Sequence, residues 1–387
     1  MKKTIFFLAI ILMIPSQRAV AGEYGVVDIH GFISQGYMVS DKNDYYYANT
    51  EDGTFEFNEM GLNFGTRVND SLRLGIQVFA KDLGEIGNDE ITLDWASADW
   101  QYRNWLGVRV GKIKVPFGLY NQAHDLDMTR TQILLPQSAY PEIYREIMMT
   151  VTGMGLYGSL PGRIDYQAAY GSGSVEVDSG VVREIEDLFS DTGFPITINQ
   201  VDLTIGPMAS FLWNTPIDGF SLGVTYSGVE LTFVVDQALG WIDLTGGYYI
   251  GSMEYVAENL RVSTEYMVKK LTMTLGTTSI EQDQDTEDYY VMGSYRFSEW
   301  FELGMYYSVS YQFKDDRDGK DFNELTHLPK EKVWMKDFAL STRFDINDYW
   351  LIKLEGHRMN GLRDTVYDPS DPDPDAYLFA AKVTYTF

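Results

Sequence analysis

The chain has no cysteine and only four histidines in 387 residues. Disulfides and thiolate chemistry are therefore excluded, and the scattered His30, His124, His327 and His357 match no metal motif. Positive charge is scarce too: 30 Lys and Arg stand against 56 Asp and Glu, a formal net charge of −26. Such acidity repels a phosphate backbone and excludes nucleic acid as a partner. Long apolar runs are missing as well. The one continuous run, Ile5–Ile14, is roughly half the ~20 residues a membrane-spanning helix needs. It follows Lys2-Lys3 and precedes Ala19-Val20-Ala21, the order of a secretory leader cut after Ala21. Residues 1–21 are thus read as a signal peptide and 22–387 as the exported domain, which has no helix to hold it in a membrane.

What the chain has in quantity is aromatic residues, at 14%, and 35 glycines. Its last stretch shows how they are used. In Ala376–Phe387, Tyr377, Phe379, Ala381, Val383, Tyr385 and Phe387 share one face of a strand, while Ala380, Lys382, Thr384 and Thr386 share the other. A strand of about ten residues with one apolar and one polar face suits a tilted transmembrane strand, because in lipid all backbone groups must pair within a closed barrel. Tyr385 and the terminal Phe387 are read as a C-terminal assembly signal.

The same pattern recurs from Val26 onward, with connections that alternate in length. Tight turns fall at Asn69-Asp70-Ser71, Arg103-Asn104-Trp105, Pro161-Gly162, Thr215–Gly219, Glu258-Asn259, Ser298-Glu299 and Asn347-Asp348. Long connections fall at Pro116–Met149, Ser174–Asn199, Thr277–Glu287, Lys314–Trp334 and Arg363–Asp375. The count is sixteen strands. The expected fold is all-β: a transmembrane antiparallel β-barrel with short periplasmic turns and long extracellular loops in the outer membrane of a Gram-negative bacterium. Gly246-Gly247 and Lys269-Lys270 interrupt the alternation and are candidate bulges, and an error of one hairpin there gives fourteen or eighteen strands. Val181–Ser190 reads equally as a short helix or an irregular loop. At sixteen strands the lumen is expected to hold water.

Pro116–Met149 is too long for a hairpin loop and carries packing material: Phe117, Leu119, Tyr120, Ile133, Leu134, Leu135, Tyr140, Ile143 and Tyr144. Folded inward, it narrows the channel and brings His124, Asp125, Asp127, Arg130, Glu142, Arg145 and Glu146 to the constriction; the alternative is an extracellular cap or subunit contact. The segment leading into it, Gly-Lys-Ile-Lys-Val-Pro-Phe-Gly-Leu-Tyr-Asn from Gly111 to Asn121, resembles the strand-to-loop segment of the phosphate-selective porin O and P family. The resemblance implies a trimeric sixteen-stranded porin with its third loop inside, in which some members select anions through lumenal Arg and Lys. That arginine series has no residue-by-residue match here.

Alternation assigns the lumen independently. Arg67, Arg73, Lys81, Arg109, Arg163, Arg261, Arg296 and Arg343, the candidate selectivity residues, fall on the polar face with Lys353 and Lys382. So do Asp28, Glu59, Asp94, Asp165, Asp202, Asp243, Glu302, Asp345 and Glu355. The loops add acids, at Glu281–Asp288, Asp315–Asp321 and Asp368–Asp375, so the outer vestibule is expected to be negative. Asp315-Asp316-Arg317-Asp318-Gly319 has some flavour of a calcium loop without the full ligand spacing. The expected function is passive diffusion of small hydrophilic solutes and ions, with no cofactor, no metal and no catalysis. The partners are those solutes, outer-membrane lipid and lipopolysaccharide, and by resemblance two more copies of the chain. Alternatives are an anion-selective channel, a structural or adhesive surface barrel, and, least, a barrel hydrolase, for which no nucleophile motif accompanies His30 or His357.

Overall fold

The structure is a computed structural model that describes residues 25–191, 193–236, 240–276, 280–367 and 372–387. The expected leader, residues 1–21, lies outside them, as do parts of two acidic loops. Sixteen strands close into one antiparallel barrel, each paired with its neighbours in sequence. They are β1 (Val27–Ser40), β2 (Phe57–Arg67), β3 (Leu72–Leu83), β4 (Thr92–Arg103), β5 (Leu106–Lys114), β6 (Thr150–Leu160), β7 (Ile164–Val175) and β8 (Ile198–Asn214). The second half has β9 (Phe220–Val235), β10 (Trp241–Val256), β11 (Leu260–Leu275), β12 (Ile280–Ser298), β13 (Phe301–Tyr311), β14 (Trp334–Asp345), β15 (Trp350–Gly361) and β16 (Asp375–Thr386).

The first and last strands pair from Phe32 opposite Thr386 to Ser40 opposite Leu378. Gly31 and Phe387 exchange backbone hydrogen bonds at 3.1 and 3.0 Å, so the final residue completes the closure. Gly31 accommodates the Phe387 ring, since a Cβ there would lie 2.5 Å from it. Tyr385 packs on Trp350, with ring centroids 4.8 Å apart. The alternation read from the sequence holds along β16: Tyr377 and Phe379 are exposed, whereas Ala380, Lys382 and Thr384 are buried inside. The periplasmic rim carries outward Trp100, Trp105, Trp213, Trp300 and Trp350, an aromatic girdle at the lipid boundary.

β8 to β12 run to 16–19 residues, beyond the ~9–11 a tilted strand needs to cross a bilayer. Their surplus rises on the loop side, where the two faces exchange character. Outward Tyr226, Tyr249, Tyr266, Tyr289 and Tyr307 mark the level: registers place Tyr226 opposite Tyr249 and Tyr266 opposite Tyr289. Above it Glu230, Thr232, Asp243, Thr245, Lys270 and Asp285 point outward, while Leu203, Leu231, Phe233, Ile242 and Leu271 point inward. Beyond the bilayer the exterior is water, so the apolar face must turn in. This collar corrects three expectations. Asp202 and Asp243 lie on the outer face, not in the lumen. Gly246-Gly247 and Lys269-Lys270 are no bulges, since β10 and β11 pair without a break from Ile242 opposite Leu275 to Val256 opposite Arg261. Residues 280–287, expected as loop, are the upper end of β12.

The inward apolar face of the collar is covered by helix α2 (Gly180–Asp191), with α1 (Arg145–Met149) at the end of the inward loop before it and α3 (Lys320–Thr326) later in the chain. Val181, Val182 and Ile185 of α2 join Leu203, Leu231 and Phe233 in one buried cluster with Val115, Phe117 and Tyr140. A lumen filled with water throughout is therefore not what forms; its outer half contains a packed core. Asp316, in the stretch with calcium-loop flavour, accepts a hydrogen bond from the Phe322 N–H at 2.9 Å and helps to start α3.

Candidate functional site

The chain leaves the wall after β5 through the Gly111–Asn121 segment, and the residues there form a neck. Gly111 has φ +127°, and a Cβ would lie 2.3 Å from the Ala96 carbonyl. Gly118, at φ +56°, sits against Tyr140 and Glu265. The Val115 N–H donates to the Met149 carbonyl at 3.0 Å. Asn121 ties both sides of the neck, its Nδ2 donating to the carbonyls of Val115 (3.1 Å) and Met148 (2.8 Å). From there Pro116–Met149 lies within the barrel, against β11, β13, β15 and β16.

Two buried wall carboxylates pin it. Glu355 on β15 accepts the backbone N–H groups of Ile133 and Leu134, both at 2.9 Å, together with the Ser341 hydroxyl at 2.5 Å. Glu265 on β11 accepts the Leu119 N–H at 3.0 Å, the hydroxyls of Ser252 and Tyr290 at 2.6 and 2.9 Å, and the Tyr140 hydroxyl. Each carboxylate is 1–2% exposed, and it is tolerable there because donors surround it. Sequence reading placed Glu355 on the polar face without a role and passed over Glu265. Its signal was modest: an acid between Ser263 and Met267 on the inward face of a strand.

The expected constriction residues are brought together, and all those with described side chains are buried. His124, Asp125, Asp127, Arg130, Glu142 and Arg145 are each at most 8% exposed. Asp127 takes Lys353 Nζ at 2.9 Å, Thr384 Oγ1 at 2.8 Å and, at 3.6 Å, Lys382 Nζ, whose nearer partner is Glu59 at 2.6 Å. Asp125 pairs with Lys114 and accepts Gln77 Nε2 at 2.5 Å. His124 meets Glu142 at 3.0 Å. Arg130 donates to the carbonyls of His124 and Ile133, and the Arg145 guanidinium lies 4.0 Å from the centre of the Phe79 ring. Glu146 belongs to α1. Asp125, Asp127 and Arg145 thus reach from the loop to the wall, while His124, Glu142 and Arg130 bind groups of the loop itself. Both ring nitrogens of His357 face carboxylates, Asp337 at 3.0 Å and Glu355 at 3.1 Å, so neither is turned to a hydroxyl nucleophile.

The basic residues divide by height. Arg67 sits opposite Arg73, Arg73 opposite Asp99 and Asp99 opposite Arg109, one lateral row near the periplasmic rim with Arg109 paired to Asp99 at 2.9 Å. Across the lumen, Arg296 bridges Glu302 and Asp345 at 2.8 and 2.9 Å. Arg343 binds Asp345 at 2.8 Å and the loop carbonyl of Met128 at 2.6 Å. Arg261 lies 3.8 Å from Glu254. Arg163 is in a turn with φ +66°, and Lys81 is buried on β3. Arg261, Arg296 and Arg343 line a cavity of about 280 Å³ on the periplasmic side of the loop. A second, of about 460 Å³, lies on its outer side beneath α2 and the later loops.

No protein-family model and no curated relative matches the sequence. Solved structures do match in shape. The outer-membrane expressed OmpT of Vibrio cholerae superposes with a TM-score of 0.60 at 12% identity, over 95% of this chain and 99% of that one. The outer membrane channel DcaP of Acinetobacter baumannii gives 0.59 at 12%, over 93% and 97%. An anion-selective porin from Comamonas acidovorans gives 0.58 at 10%, over 94% and 99%. The likeness is one of fold. It extends to porin structures in general and does not single out the phosphate-selective family.

Proposed function

We propose that the protein is a porin, a passive channel for small hydrophilic solutes and ions in the outer membrane of a Gram-negative bacterium. The observation that carries this reading is the loop Pro116–Met149 pinned across the barrel interior by Glu265 and Glu355, with a cavity of a few hundred Å³ on either side. A loop held there sets the size of what passes. His124, Asp125, Asp127, Arg130, Glu142 and Arg145 set the bore by fixing the loop, and Tyr385 with Phe387 guides assembly. The channel and porin neighbours support the reading, and a trimer form of the Vibrio protein supports a homotrimer.

A preference for anions is the second reading. The lateral row Arg67, Arg73, Arg109 holds three cations to one Asp99 at the inner mouth, which favours anions there, while the loops outside are acidic. Lys81, Arg163, Arg261, Arg296 and Arg343 contribute where a carboxylate does not cancel them. Single-channel recording across a salt gradient tests both readings. Ohmic steps are expected, and the reversal potential should move toward cation preference in Arg73→Ala/Arg109→Ala if the row selects. Silence from folded protein would overturn the channel, and an unmoved reversal potential would overturn the anion reading.

A further inference from the structure

The outer cavity, about 460 Å³, has the volume of a small-molecule site, and its lining is divided by chemistry. Leu231, Leu244, Leu271 and Met273 of the collar make an aliphatic wall, and Glu184 of α2 and Asp364 of the last loop bring carboxylates to the same space. Tyr144 and Tyr248 complete the set that matters here.

The charges are already partly spoken for. Lys269 is held by Asp288 at 3.1 Å. Arg363 lies 3.6 Å from Asp364 and 4.0 Å from Asp288, and donates to Ser310 at 2.7 Å. Lys332, which also lines the cavity, lies 5.4 Å from the centre of the Tyr367 ring, and Asp187 there accepts the Tyr47 hydroxyl at 3.3 Å. An incoming anion has to compete with Asp288 for Lys269 and with Asp364 for Arg363. Glu184 differs: its hydrogen-bond donor is the Tyr144 hydroxyl, a neutral group. Burial and then the nearby Asp364 push its carboxyl up from the usual 4.5 to about 7, against the opposing pull of Arg363 and Lys269. A cation brought beside Glu184 would relieve that repulsion.

We propose that this cavity binds an organic ammonium ion with an apolar body, the body against the Leu231, Leu244, Leu271 and Met273 wall and the ammonium at Glu184 with tyrosine rings beside it. Desolvated ammonium groups gain from aromatic faces as well as from the carboxylate. The site goes beyond the channel reading, because a barrel could hold such a solute without conducting it.

Calorimetric titration of the purified, folded protein in detergent with phenylbutylammonium, phenylbutanol and phenylbutyrate tests it, the three probes sharing one body. The ammonium is expected to bind about tenfold or more tighter than the alcohol. Glu184→Gln should erase that margin, and Leu244→Trp, which fills the apolar side, should weaken all three probes. Both variants are checked first for the gel mobility of a folded barrel. Equal or tighter binding of phenylbutyrate, an unchanged margin in Glu184→Gln, or no binding of any probe would overturn the proposal. Conductance recorded on the same protein separates the two ideas: ohmic steps without calorimetric binding sink only the ammonium site, and binding without steps sinks only the channel.

Discussion

Below the tyrosine level, outward positions carry Val224, Met253 and Val262; above it, on the same three strands, they carry Glu230, Asp243 and Lys270. Inward positions change the opposite way, from Thr225, Ser252 and Ser263 below to Leu231, Leu244 and Leu271 above. The backbone does not change: pairing is continuous through the boundary, and a period of two fixes which residues share a face. What changes is the solvent on the outside. In the bilayer a barrel turns its apolar face outward; in water it turns that face in and needs a helix to cover it. One set of strands is thus built by two opposite rules, and α2 is the cover the second rule demands.

The largest effect should come from opening the collar core. Phe233→Ala removes a fully buried ring and should cost ~3–5 kcal/mol locally. Protease cutting at α2 should accelerate while the barrel keeps its folded gel mobility; loss of the whole barrel instead would show that collar and membrane band fold as one unit. Next comes the membrane band. Val224→Arg should destabilise folding into vesicles by up to ~2–4 kcal/mol in urea titrations, less if the residue lies near the interface. A neutral outcome would mean that this face is not in lipid.

Glu355→Gln weakens the pin on Ile133 and Leu134 and should cost ~1.5–3 kcal/mol, the worth of hydrogen bonds to a charged acceptor. Larger or noisier conductance steps are the expected sign, and steps identical to the parent would show that Glu265 alone suffices. Acidity should act on the collar's cover. Because the folded-state pKa of Glu184 is raised to about 7 from 4.5, its contribution to holding α2 is fully present below pH 4.5 and is lost as pH rises through 7. Protection factors in α2, taken relative to the intrinsic exchange rate at each pH, should therefore be higher at pH 5 than at pH 8, and Glu184→Gln should flatten that difference. The smallest effect belongs to Asp243→Asn on the wet outer face, within ~0.5 kcal/mol; a large loss would place that face against another molecule.

The strand count and the closed antiparallel barrel were legible because both rest on local pattern. Period-two alternation, turn chemistry and an overlong connection rich in Tyr and Leu are all properties of neighbouring residues. Alternation alone misread Asp202 and Asp243. It reports two faces but not which one meets the lumen, and reading the polar face as the lumen assumes lipid outside at every height.

By itself, then, the sequence determined an acidic, all-β chain whose strands close on one another. Only the tertiary structure decided that Asp125 and Asp127 of the inward loop are ties to the wall. Asp127 meets Lys353 and Lys382, and Ile133 meets Glu355, across more than 200 residues of chain. It also decided that β8 to β12 outgrow the bilayer and enclose a core. The physical reason is common to both: partners brought together by barrel closure, and the height at which lipid gives way to water, are set by the assembled shape and leave no mark on adjacent residues.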